Sequence, residues 1–193
     1  MSCQNTKDFC VNAGETFKPI LRWGSDVLIS KAITGITQAA PAVVTAVGHS
    51  VPDGWQVAVV SAKGMTQINA ERFPPAGADW HRATLLTVDT VQLDGVNAAD
   101  YSAYLSGGFL VYNTPTSLSG MTATMTIRDA PVIGAVLNTL TSTAGIVLDN
   151  TAKTITPTLA TAGLVWTVGY YDLELTDLNS IVIQVLSGVI TIN

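Results

Sequence analysis

The chain has 193 residues, room for one large domain or two small ones, of which 12% are charged and 48% apolar. An average soluble domain carries roughly 25% charged residues. The balance excludes a disordered chain and predicts a large surface buried against other subunits, where charges are depleted. The net charge of −5, with its 9 Lys and Arg scattered, leaves no basic footprint for nucleic acid, and no apolar run reaches the ~18 residues of a membrane helix.

The chain starts with a polar, mixed segment, residues 1–28, without sustained periodicity. It holds Cys3 and Cys10, the only two cysteines. A lone pair makes no zinc site, and both a local disulfide and two reduced thiols fit it. Asp8, Asn12 and Glu15 interrupt any signal-peptide apolar core, which predicts synthesis and retention in a cytoplasm until lysis. The stretch Phe17-Lys18-Pro19-Ile20-Leu21-Arg22-Trp23-Gly24 reads either as an edge strand entering the first domain or as an arm that docks on a neighbouring subunit.

Residues 29–113 are densely punctuated by Gly35, Gly48, Pro52-Asp53-Gly54, Gly64, Pro74-Pro75, Gly77, Asp94-Gly95 and Gly107-Gly108. Between these marks lie β-type runs at 42–47, 55–61, 83–88, 90–93 and 108–112. Strands this short, with turns between them, predict a small barrel or sandwich; 97–105 reads as at most a single helical turn. The succession Gly48-His49-Ser50-Val51-Pro52-Asp53-Gly54-Trp55-Gln56-Val57, Lys63-Gly64-Met65-Thr66-Gln67-Ile68-Asn69, Val91-Gln92-Leu93 and Tyr101-Ser102-Ala103-Tyr104-Leu105-Ser106-Gly107-Gly108 resembles a bacteriophage β-module. That module is usually likened to the first catalytic-cysteine half-domain of ubiquitin-activating enzymes. The resemblance implies a non-catalytic β-fold, since neither cysteine lies inside it and no nucleotide-binding Gly-rich loop accompanies it.

Residues 114–118 read as a linker and 119–193 as an antiparallel β-sandwich. Met121, Ala123, Met125 and Ile127 alternate with Thr122, Thr124, Thr126 and Arg128, so the odd positions face the core. Further strands are predicted at 132–140, 145–148, 153–158 and 164–176, with two more closing strands split by Gly188. Tyr171, Leu173 and Leu175 share one face, and the phase slip between Tyr170 and Tyr171 predicts a bulge beside Gly169. Asp177-Leu178-Asn179-Ser180 supplies the turn. The wording Tyr170-Tyr171-Asp172-Leu173-Glu174-Leu175, followed by Leu186-Ser187-Gly188-Val189-Ile190-Thr191-Ile192, resembles the C-terminal module of tail-associated proteins of tailed bacteriophages. Together the two resemblances imply an all-β chain, two small β-barrel or β-sandwich domains in tandem. They also imply a structural place in the tail, baseplate or fibre-attachment region of a virion, as one copy in a symmetric ring.

Candidate chemistry is sparse. His49, Ser50 and Asp53 are near one another in sequence, but a triad needs its base held between the other two side chains, and no nucleophile elbow is present. His49 is read as a loop residue bonding to backbone. Asp172 and Glu174, two apart on one strand face, read as solvent-facing neighbours; a glycosidase pair would face across a cleft. His49, His81 and the scattered Asp residues lack metal-ligand spacing. The expectation is a non-enzyme with no metal and no cofactor. Its candidate partner contacts are Trp23, Trp80, Arg82, Tyr101 and Tyr104, because aromatic and Arg side chains anchor interfaces. The partners expected are other virion structural proteins and further copies of the chain. The alternative is a host-surface module that binds a glycan or protein receptor through Trp80 or Tyr101 and Tyr104.

Overall fold

Short β-branched runs separated by turn residues satisfy their backbone groups by pairing with other runs. The computed structural model, which describes residues 6–193, is accordingly all-β. Its helical content among these residues is two 3₁₀ turns, Thr66–Ile68 and Gly77–Asp79. The 97–105 stretch runs through turns and bends instead of a helical turn. No helix is long and apolar enough to cross a membrane. Contacts divide the chain into two units, one of Met1–Trp23 with Ser117–Asn193, the other of Gly24–Thr116.

The first unit begins with three short strands, β1 (Phe9–Val11), β2 (Thr16–Phe17) and β3 (Leu21–Arg22). Each pairs with a strand from the C-terminal part of the chain. The reading of 1–28 as a separate arm is therefore corrected: its described residues up to Trp23 are built into the C-terminal module, and those from Gly24 begin the other unit.

The second unit holds β4 (Gly24–Ala32), β5 (Gly35–Ile36), β6 (Ala42–Thr45), β7 (Gln56–Val60), β8 (His81–Thr87), β9 (Thr90–Leu93) and β10 (Phe109–Pro115). They form one antiparallel sheet in the order β4-β10-β7-β8-β9-β6-β5. Its two ends, β4 and β5, do not pair, so the sheet is open, and of the barrel or sandwich expected a closed barrel is excluded. Val44, Val57, Val59, Met65, Leu93, Leu110 and Tyr112 fill its core, all at most 1% exposed. Gly64, at φ +85°, has no substitute, because a Cβ there would sit 2.2 Å from the Ala103 carbonyl oxygen.

The first unit resumes with β11 (Thr122–Arg128), β12 (Val136–Thr141), β13 (Ile146–Asp149), β14 (Thr154–Pro157), β15 (Leu159–Ala160), β16 (Val168–Thr176) and β17 (Val182–Ile192). A five-stranded sheet runs β1-β17-β16-β11-β12, with β1 parallel to β17 and the other pairs antiparallel. Small sheets β13-β14-β3 and β15-β2 supply Phe17, Leu21, Ile146, Ile155 and Leu159, which share one buried cluster with Met125, Ile127, Tyr171, Leu173 and Leu175 of the large sheet. The result is sandwich-like. The Phe9 and Phe17 rings meet edge to face with centroids 5.2 Å apart. Two expectations shift here. Gly188 does not split the closing strand: β17 is continuous through it, and a side chain is excluded because the Lys7 carbonyl oxygen lies 2.2 Å from where a Cβ would be. The bulge falls not beside Gly169 but where Leu173 pairs with Leu186 and Glu174 with Gln184, leaving Val185 as the extra residue.

Candidate functional site

Residues 61–80, between β7 and β8, carry Gly64, Pro74, Pro75 and Gly77 and lack strand alternation, so their shape has to come from side-chain hydrogen bonds. Asn69 supplies two: its Oδ1 accepts from the Ala62 N–H at 2.8 Å, and its Nδ2 donates to the Ala62 carbonyl at 3.0 Å. Asp79 supplies two more, Oδ1 accepting from the Glu71 N–H and Oδ2 from the Ala76 N–H, both at 2.9 Å. The Arg72 guanidinium stands 3.6 Å from the same carboxylate. The Ala76 and Glu71 amides, helped by Arg72, hold the Asp79 carboxyl below the usual carboxylate range.

The loop so fixed faces the 95–101 segment across a cleft of about 300 Å³. Glu71, Arg72, His81, Asn97 and Tyr101 line it over a floor that includes buried Val96. Burial lowers the pKa of the His81 imidazole, and Asp79 opposes this only in part, so at neutral pH the ring is uncharged and offers one donor and one acceptor. Asn97 Oδ1 is engaged by the Ala99 N–H at 3.0 Å. Arg72 is paired with Asp79, which leaves the Glu71 carboxylate as surplus charge and disfavours an anion. No Ser, Thr, Cys or Lys lines the cleft. Its chemistry suits hydrogen bonding to a small polar solute against the Tyr101 ring.

Of the five predicted contacts, only Tyr101 lies in this cleft. Trp23 is half-buried against the core of the first unit. Tyr104 packs on the core of the second, its hydroxyl within 2.9 Å of the Ile33 carbonyl and 3.0 Å of the Gly107 carbonyl, so its polar end is spent on the fold. Arg82 is exposed, pairs with Gln56 across β7–β8 and stands 3.8 Å from Asp94. Trp80 is half-buried. Trp23 belongs to the first unit and the other four to the second. Of Asp79-Trp80-His81-Arg82, Asp79 and His81 line the cleft and Trp80 and Arg82 do not.

His49 is 1% exposed. Its Nδ1 accepts from the Val51 N–H at 2.9 Å, and the Tyr112 hydroxyl donates to its carbonyl. Burial lowers its pKa. A base sealed in this way cannot reach a substrate, and Asp53 Oδ1 accepts from the Leu85 N–H at 2.9 Å. Asp172 takes a hydrogen bond from Gln184 at 2.9 Å, and Glu174 is exposed on the same outer face of β16. Among the described residues no group of three His, Cys, Asp or Glu side chains is placed to hold a metal ion. Cys3 lies outside the described residues; Cys10 is exposed, with Asn193 Nδ2 3.0 Å from its sulfur.

Composition alone could not locate the exposed apolar side chains. Val47, Leu85, Leu86 and Val88 are exposed in the second unit, where Asp89 ties the turn after β8 to the loop after β6 by accepting from the Ala46 and Gly48 N–H groups. In the first unit Val132 and Ile133 stand out between β11 and β12, and Leu178, Ile181 and Val182 at the β16–β17 turn. No protein-family model matches the chain, and no curated protein is significantly similar to it.

Proposed function

We propose that the chain is a non-enzymatic structural subunit of a tailed-phage virion, in the tail, baseplate or fibre-attachment region, connecting neighbouring subunits as part of a homo-oligomeric ring. The observation that carries the assembly part of this reading is the set of large apolar side chains left exposed at turns of both units, in a chain with only 12% charged residues. Where such groups adjoin, as Val132 and Ile133 do, they mark a surface that meets protein. The virion assignment draws on the residue patterns shared with phage tail-associated modules. Electron cryomicroscopy of virions from a phage encoding the chain tests it: the expected result is several symmetric copies in the tail region, and particles without the protein would refute the reading.

A second reading, a host-surface binding module, is favoured by the cleft beside Tyr101 and His81, where an aromatic ring and uncharged hydrogen-bonding groups meet. Titrating the protein with neutral monosaccharides while following the amide resonances of Asn97 and His81 tests it. Shifts confined to the cleft support this reading, and their absence removes its glycan form.

A further inference from the structure

We infer that β12 is the edge through which two copies of this chain join, the strand pairing antiparallel with its own copy about a two-fold axis so that two five-stranded sheets become continuous. Strand β12 ends the order β1-β17-β16-β11-β12, so on one side it meets no other strand among the described residues. An open edge is a template for another strand, and proteins that must avoid pairing keep edges short or place charge and proline on them. Edge β4 carries Asp26 and Lys31, β1 spans three residues and β5 two. Strand β12, Val-Leu-Asn-Thr-Leu-Thr over six residues, has neither charge nor proline. Thr141 at its C-terminal end already exchanges hydrogen bonds with Ala144, so the edge left open and without charge is 136–139.

The chain around it points the same way. The loop leading into β12 is closed by a hydrogen bond from the Asp129 N–H to the Ala135 carbonyl at 3.1 Å and another from Arg128 Nη1 to the Gly134 carbonyl at 3.2 Å. From this frame Val132 and Ile133 project, 82% and 91% exposed, with Val132 held at φ +66°. That backbone conformation is a genuine outlier for a β-branched residue, and such conformations persist where surrounding structure imposes them. Val136, at the start of the strand, is exposed as well.

The occupant follows from charge. Residues 130–148 contain no Asp, Glu, Lys or Arg. A second copy laid antiparallel along β12 therefore places no like charges opposite one another. It brings its own uncharged Ser142-Thr143-Ala144 turn to the end where Val132 and Ile133 project. Two-fold contacts are the commonest way for identical chains to meet. A lipid surface fits less well, because Asn138, Thr139 and Thr141 interleave with the apolar positions and the chain's net charge is −5.

The inference rests on the proposed function only in taking the chain to act as a multimer, and the two-fold contact, being isologous, is a different contact from those that close a ring. Sedimentation equilibrium of the full chain up to about 200 µM tests it. The expected mass rises with concentration from 20.2 kDa toward twice that value. Thr139→Lys and Thr139→Glu, on an exposed strand position, should each weaken dimerisation by at least about tenfold, and an equimolar mixture of the two should restore it. Val27→Lys, exposed on edge β4, should change nothing, and an unchanged far-ultraviolet circular dichroism spectrum of each variant shows that the fold is intact. A wild-type mass that stays at 20.2 kDa, a Thr139→Lys variant that dimerises like the parent, or loss of the dimer in Val27→Lys would each overturn the inference. Absence of the protein from virions would refute the virion reading and leave this result standing.

Discussion

Replacing Leu175 with Asp tests the assignment of faces in the first unit. Leu175 is fully buried on β16, the middle strand of the five-stranded sheet, paired with Ala123 on one side and Ile183 on the other. Losing the buried leucine costs about 2–5 kcal/mol, and a carboxylate left unpaired in its place adds several more or is forced to protonate. A total above roughly 5 kcal/mol approaches the whole stability of an ordinary domain. For a unit of this size each 1 kcal/mol moves the midpoint by about 4–8 °C, so the unit should be largely unfolded at 37 °C. Glu174→Gln, one residue away on the exposed face, should stay within about 0.5 kcal/mol of the parent. Far-ultraviolet circular dichroism against temperature and urea measures both. A Leu175→Asp protein that melts within a degree or two of the parent would refute the argument.

Deleting residues 1–22 should unfold the first unit, since Phe9, Phe17 and Leu21 belong to its core cluster; a truncated protein with an unchanged melting profile would mean the pairing of β1 to β3 carries little. Asp79→Ala should leave the second unit folded but loosen the 71–79 loop, which limited proteolysis reads as faster cleavage there, whereas Asp79→Asn, still able to accept one amide, should fall between. Burial lowers the folded-state pKa of both His49 and His81 below 6.5. On acidification below that value the unfolded chain takes up protons that the folded one resists, so the stability both residues contribute is lost as pH falls through 6.5 toward the folded values. The midpoint of the second unit should drop between pH 7.5 and 5, and His81→Gln should remove part of the slope; a flat profile would contradict the assignment.

Local pattern was legible where a strand's burial is decided by its own alternation. Tyr171, Leu173 and Leu175 face the core as their spacing predicts, as do Ala123, Met125 and Ile127, and 90–93 coincides with β9. What escaped depends on partners distant in sequence. Thr16–Phe17 and Leu21–Arg22 are too short to show a period, and they are strands only because Leu159–Ala160 and Thr154–Ile155 lie beside them. Gly188 looked like a break because the Lys7 carbonyl that requires it comes from the other end of the chain. The cleft was hidden for the same reason: Tyr101 was marked, but His81 and the Asp79 clasp join it only through the path of the 61–80 loop. The exposure of Val132 and Ile133 is a property of a closed loop, and hydrophobicity alone would have placed them inside.

The pairing of Gly24 with Pro115 brings the two ends of the second unit side by side, and this has a consequence for synthesis. That unit is an insert, contained wholly in Gly24–Thr116, whereas the first unit is split around it. On the ribosome the insert is complete while the β1 to β3 segment still lacks every strand it will pair with, because those strands are translated last. The insert can therefore fold first and shorten the effective loop between the two halves of its host from 93 residues, 24 to 116, to the gap between two adjacent strand ends. Loop closure then costs far less entropy. The arrangement lets the outer unit close around a finished insert, and predicts that the insert can be removed or exchanged as a cassette.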